Sequence, residues 1–180
     1  DTYEYRQVDH SSCTASSTNC LYRKGDLWKL TNAQGHVHET LAFDGAGRVL
    51  SSKDANGVVT DFEYHPRGWL AASKIRGSDN ASESDDTITR YTYSPIGLVE
   101  KITGPDGVET LFEYDAAHRL SSVVDGAGNR IQYTLDNAGS RIKEDTKSTG
   151  GQLKRTLSRV YNQIGQLATQ ADAQSNPTDF

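Results

Sequence analysis

The sequence predicts an all-β fold of tandem β-hairpin repeats joined into a continuous antiparallel, curved sheet, and three observations predict it. A large apolar residue followed by a turn former recurs as Phe43-Asp44, Tyr64-His65, Tyr93-Ser94, Tyr114-Asp115, Leu135-Asp136 and Tyr161-Asn162, at intervals of 21, 29, 21, 21 and 26 residues. Residues alternate between apolar and polar with a period of two before each of these pairs. Gly-, Asn-, Asp- and Pro-containing tetrapeptides separate the alternating stretches. A fixed period of this size marks an array of supersecondary units, none of which buries its apolar face without its neighbours.

The elements follow in chain order. Tyr3-Glu4-Tyr5 matches Phe62-Glu63-Tyr64 and reads as the end of a strand, with Tyr5 as its anchor. An insertion over about residues 6–24 follows and carries Cys13 and Cys20. Asn32-Ala33-Gln34-Gly35 is a turn, and Val37, Leu41 and Phe43 share the parity of the next strand. Phe43-Asp44-Gly45-Ala46-Gly47-Arg48-Val49 turns into a short strand, Asp54-Ala55-Asn56-Gly57 turns back, and Val58, Thr60, Phe62 and Tyr64 line one face of a longer strand. Asp61 and Glu63 fall on the other parity, which predicts an aromatic face and a polar face.

The unit then repeats with interruptions. An insertion over about 77–87 stretches the interval between Tyr64 and Tyr93. Gly104-Pro105-Asp106-Gly107 precedes the strand carrying Val108, Thr110, Phe112 and Tyr114. Tyr114-Asp115-Ala116-Ala117-His118-Arg119-Leu120, Asp125-Gly126-Ala127-Gly128 and Ile131 to Asp136 complete a further copy, and a loop over about 146–152 accounts for the long interval to Tyr161. Each unit is a short strand, a turn, a longer strand and a second turn. The insertions at 77–87 and 146–152 fall at the same kind of turn and should project from one edge of the sheet, and the 6–24 insertion from the other. Residues 165–180 align without a gap on 47–62, so the reading places both termini within strands, as expected of a piece of a longer array.

Composition narrows the class. Only 34% of the 180 residues are hydrophobic while Gly reaches 16, which suits a thin sheet better than a thick globule. The net charge of −5, with Lys and Arg scattered, predicts no nucleic-acid partner. No apolar run approaches the ~18–20 residues of a membrane span.

The pattern Tyr-Asp-x-x-Gly-Arg-Leu, carried by residues 43–49 and 114–120, resembles the YD repeat of bacterial Rhs and wall-associated proteins, which toxin-complex C subunits and teneurins share. That resemblance covers nearly the whole chain. It implies a β-strip spiralling into a hollow shell around a variable C-terminal toxin, hence a structural, non-enzymatic wall segment, secreted or at the bacterial cell surface, partnered by the rest of its shell and the enclosed toxin. Family members that release their cargo carry an Asp-Pro-x-Gly core with self-cleavage. This chain has no Asp-Pro dipeptide; Asn176-Pro177 comes nearest.

The exported setting implied by the resemblance favours a disulfide between Cys13 and Cys20, with two free thiols as the alternative. His36 and His38 stand two apart on a predicted strand without a third ligand nearby in sequence, and no Gly-x-Ser-x-Gly elbow is present. No catalytic residue, metal ligand or cofactor is assigned. Glu83, Asp85 and Asp86 read as a solvated loop. The alternative function is a carbohydrate-binding surface module, with glycans stacking on Trp28, Trp69, Tyr91 or Tyr133. The structural assignment of the repeat anchors Tyr5, Phe43, Tyr64, Tyr93, Tyr114, Leu135 and Tyr161 takes precedence, because each buried large side chain contributes roughly 1.5–3 kcal/mol.

Overall fold

The computed structural model describes residues 1–13, 20–78, 82–172 and 177–179. The middles of the 6–24 and 77–87 insertions, together with Asn176 and Phe180, lie outside them. Every regular element among the described residues is a β-strand. Contacts group into two compact units, Asp1–Arg90 and Tyr91–Phe180.

The first unit contains β1 (Thr2–Tyr5), β2 (Leu27–Thr31), β3 (Val37–Phe43), β4 (Val49–Lys53), β5 (Val59–Tyr64), β6 (Leu70–Ile75) and the start of β7 (Thr87–Tyr93), each antiparallel to the next. The second contains the end of β7, then β8 (Val99–Thr103), β9 (Glu109–Tyr114), β10 (Leu120–Val124), β11 (Arg130–Leu135), β12 (Arg141–Lys147), β13 (Leu153–Tyr161), β14 (Leu167–Asp172) and β15 (Pro177–Asp179). From β8 onward the order is again sequential and antiparallel.

One turn geometry serves both ends of the strands. In residues 54–58 the Asp54 N–H donates to the Val58 carbonyl at 2.9 Å and the Gly57 N–H donates back to the Asp54 carbonyl at 3.0 Å. This is a type I turn closed by a left-handed residue, a hairpin that preserves the strand twist. The same pair of bonds closes 44–48 at the other end of β4, and likewise 94–98 and 104–108 around β8. Gly57 has φ 85°, and His118 takes the equivalent left-handed position in 115–119 with φ 62°.

A register shift precedes six of the anchors. Glu63 pairs with Ala72 but Tyr64 pairs with Leu70, so one step on β5 matches two on β6. Equivalent shifts occur just before Tyr5, Phe43, Tyr114, Leu135 and Tyr161. Such a bulge resets the alternation of faces. The extra residue lies on β6, so β5 keeps its alternation: Tyr64 shares a face with Phe62, opposite Ser73, while Glu63 shares the other with Ala72. The shared parity expected of Val37, Leu41 and Phe43 is corrected on β3, where Thr40 pairs with Ser52 but Ala42 with Ser51, so an extra residue interrupts the alternation.

Burial is shallow. Among the described hydrophobic residues only Ala42, Ala72 and Leu157 are buried, joined by Ser51, Lys74 and Ser122 among the polar ones. Ala42, Ser51 and Ala72 share a face by register, as small residues beside the bulges.

The insertions differ from expectation in one respect that matters. No loop projects at 146–152: Thr146 and Lys147 belong to β12, and residues 148–152 form the ordinary turn. The five extra residues lengthen strands instead, β12 having seven residues and β13 nine where β10 has five and β11 six. The first insertion folds back on the sheet, where the Phe43 N–H donates to the Leu21 carbonyl at 2.7 Å. Its Cys13 and Cys20 are joined by a disulfide with Cα atoms 4.4 Å apart. In the 77–87 insertion the carboxylates fold the loop, Asp86 accepting the Gly77 N–H at 2.9 Å and Asp85 the Ser78 N–H at 2.7 Å.

Candidate functional site at the anchor edge

Within each unit the anchor turns stand side by side along one edge, and their side chains interlock. Within the turn at 44–48, Asp44 Oδ1 accepts the N–H groups of Ala46 and Arg48 at 2.8 and 2.9 Å, which fixes the turn. Asp44 Oδ2 accepts Arg48 Nε at 2.6 Å, which orients the guanidinium. That guanidinium lies over the ring of Tyr64, the anchor of the following turn, at 4.6 Å. The Tyr64 hydroxyl completes the circuit by donating to the Val49 carbonyl at 2.9 Å.

The arrangement recurs in the second unit. Tyr114 donates to the Val99 carbonyl at 2.8 Å and Tyr161 to the Arg141 carbonyl at 3.3 Å. Arg119 is held by Asp115 through Nε at 2.8 Å and reaches the Asp136 carbonyl of the next turn at 2.8 Å. A β-carbon on Gly68 would lie 3.3 Å from Arg48 Nη1, and one on Gly139 3.9 Å from Arg119 Cδ. The Gly of one turn thus leaves room for the Arg of the turn before. Arg therefore belongs to two repeats at once, as does Tyr.

Electrostatics follow from these contacts. Burial pushes the Asp44 carboxyl upward, yet bonds from the Arg48 N–H and guanidinium and the Ala46 N–H outweigh it and hold the pKa below its ordinary value. Asp115 is lowered chiefly by the Arg119 guanidinium and N–H. Burial raises the hydroxyl pKa of Tyr93 and Tyr114, keeping the Tyr114 donor protonated.

The face shared by the small residues carries a second network. Glu39 lies between Lys29 and Lys53 at 3.3 and 2.8 Å, and Asp61 meets Arg76 at 2.6 Å. Buried Lys74 joins Glu63 of β5 to Glu83 of the 77–87 insertion. Opposite charges paired across strands stabilise the sheet modestly. Residue parity alone gave no sign of which charges would meet, because the bulges shift the pairing.

Of the other residues singled out by sequence, His36 closes the turn after Asn32 and only His38 lies in β3, so the two do not form a strand-face pair. Among the described residues no group of three His, Cys, Asp or Glu is placed to hold a metal. Several proposed glycan-stacking rings are already covered. Arg6 and Lys29 lie over Trp28 at 4.8 and 4.1 Å, His65 stacks on Trp69 at 5.1 Å, and Arg141 sits 3.7 Å from the Tyr133 centroid. A sugar stacking there would have to displace those groups.

A turn that repeats its own side-chain circuit at the repeat period is a family signature, and a model of the RHS repeat matches residues 43–82, 93–130 and 114–152. The chain belongs to the RHS repeat family. The last two matches begin one 21-residue period apart and overlap, so Asp115 and Arg119 count in two RHS repeats. A search of curated protein sequences gives no match. Among solved structures, the crystal structures of TcdB2-TccC3-Cdc42 and of TcdB2-TccC3 are similar with TM-score 0.63 and 17% identity, over 84% of this chain and 8% of theirs. The structure of the Photorhabdus luminescens Tc holotoxin pore is similar with TM-score 0.55 and 15% identity, over 79% of this chain and 9% of that one. At such identities the likeness is one of fold.

Proposed function

We propose that this RHS-repeat chain is a structural wall segment, non-enzymatic and exported, which contributes to a shell around a C-terminal toxin. The observation that carries the reading is the anchor-edge circuit: within each unit Arg48, Tyr64 and their counterparts bind neighbouring turns together, so the edge acts as a seam rather than a row of separate loops. Shallow burial supports it, since a barrier needs an unbroken ladder of backbone hydrogen bonds and only a thin apolar layer. The disulfide between Cys13 and Cys20 suits an oxidising compartment. The likeness to TcdB2-TccC3 lends the shell reading its fold.

The test is protease protection in the full-length protein that carries this segment. The C-terminal region should resist protease in the parent and become cleavable when Tyr64→Ala and Tyr114→Ala together loosen the seam. A C-terminal region cleaved at the same rate in both proteins would sink the containment role. Wall formation and cargo protection would then have to be separate properties.

A further inference from the structure

One repeat departs from the circuit, and a cavity marks the place. At the position filled by Tyr64 and Tyr114 the chain has Leu135, which lacks both the ring that lies beneath an arginine and the hydroxyl that donates to a carbonyl. By the repeat, Arg119 corresponds to Arg48 and Leu120 to Val49. A cavity of about 440 Å³ opens there, lined by Arg119, Leu120, Leu135, Arg141, Arg159 and Tyr161. Its size is within the range of ligand sites. No group on Leu135 can make the bond to the Leu120 carbonyl that Tyr64 makes to Val49 at 2.9 Å and Tyr114 to Val99 at 2.8 Å.

Charge gives the site a second preference. Arg119 is committed to Asp115 and to the Asp136 carbonyl. Arg141 and Arg159, however, share one carboxylate, Glu144, each at the long distance of 3.7 Å. Their other partners among the described residues are neutral: Arg141 lies over the Tyr133 ring and Arg159 Nε meets Gln170 at 3.3 Å. Two guanidinium groups facing one distant carboxylate leave positive charge at the cavity mouth, and the paired donors of a guanidinium match the two oxygens of a carboxylate.

We propose that this cavity binds a tyrosine side chain presented by an acidic polypeptide segment. The ring rests on Leu135 under the Arg119 guanidinium, the hydroxyl donates to the Leu120 carbonyl, and a flanking carboxylate meets Arg141 and Arg159. The chain's own Tyr64 circuit is the template for the first two contacts. The inference is independent of the wall reading, since it needs only the folded second unit.

Titration calorimetry on the 180-residue chain with acetyl-Glu-Tyr-Asp-amide tests it. Saturable binding is expected, and Leu135→Tyr should abolish it by filling the cavity from within while melting no lower than the parent. Leu135→Phe is the second blocking variant should the first fold poorly. Replacing the peptide's Tyr by Phe should weaken binding about five- to tenfold, the worth of one hydrogen bond. Arg159→Gln should weaken it about fivefold, by an amount that shrinks with added salt. Absence of saturable binding, or unchanged binding by both blocking variants, overturns the site. Equal affinity for free 4-hydroxyphenylacetate overturns the polypeptide assignment in favour of a small phenolic acid.

Discussion

The two edges of the repeat use one backbone turn for different ends. On the anchor edge, Asp44 and Asp115 hold an arginine that reaches into the next turn. On the opposite edge, Asp54 and Asp125 bond only within their own turns, Asp54 to the N–H groups of Asn56 and Val58 and Asp125 to those of Ala127 and Asn129. Contact there between turns is sparser, as where Thr149 Oγ1 donates to the Ala127 carbonyl. Each edge thus solves the same local problem, but the carboxylate-held arginine that reaches the neighbouring turn belongs to the anchor edge. First positions vary on both edges, Asp44, His65, Ser94, Asp115, Asp136 and Asn162 on one and Asn32, Asp54, Gly104, Asp125 and Ser148 on the other, so the arginine link belongs to the turns at Asp44 and Asp115.

The largest expected effect breaks this comparison most directly. Tyr64→Ala removes a half-buried ring, the platform of Arg48 and a hydrogen bond, and should destabilise the chain by about 2–3 kcal/mol, less than for a fully buried aromatic. Asp54→Ala on the opposite edge removes only two bonds within its turn and should cost about 1 kcal/mol. Denaturant titration of the two variants measures both. Equal losses would mean that the contacts between turns contribute nothing beyond turn formation.

A smaller effect separates the edges by their electrostatics. Asp115 is held below its ordinary 3.8 by the Arg119 guanidinium and N–H, and Asp125 by the Asn129 side-chain amide and N–H. A carboxylate whose folded pKa lies below its unfolded value contributes stability above 3.8 that is lost as pH falls through the folded value. Salt screens an ion pair more than a hydrogen bond to a neutral amide. Carboxyl NMR titrations should therefore find both groups titrating low, and added salt should raise Asp115 more than Asp125. The reverse order would place the charge interaction on the wrong edge.

The sequence made some of this legible for identifiable reasons. Turns announce themselves through Gly at the left-handed position, and Gly35, Gly47, Gly57, Gly107 and Gly128 all have positive φ. The period was readable because Tyr and Arg serve two repeats and are constrained twice. The bulges were not readable, since the extra residue on β6 leaves the alternation of β5 untouched while changing which β6 side chains share each of its faces. The expected loop at 146–152 failed for a related reason: length added in balance to both strands of a hairpin looks like a loop until the pairing of Lys147 with Leu153 is seen. Lys74 among Glu63 and Glu83 depended on that same hidden register.

The smallest expected effect isolates the backbone from the side-chain circuit. His118 on the anchor edge occupies the left-handed position with φ 62°, where a β-carbon costs about 1–2 kcal/mol. His118→Gly relieves that strain but adds about 0.5–1 kcal/mol of backbone entropy to the unfolded chain, so a net gain of about 0.5–1 kcal/mol is expected. Gly57 supplies the converse on the opposite edge, where a β-carbon would meet nothing within 4 Å and only its φ of 85° resists substitution. Gly57→Ala should therefore destabilise by about 1 kcal/mol through backbone strain alone. Opposite signs in the two melting curves would show that the shared turn sets the same conformational demand at both edges. A loss of stability in His118→Gly would instead mean that the His118 side chain contributes to the seam beyond the arginines and tyrosines.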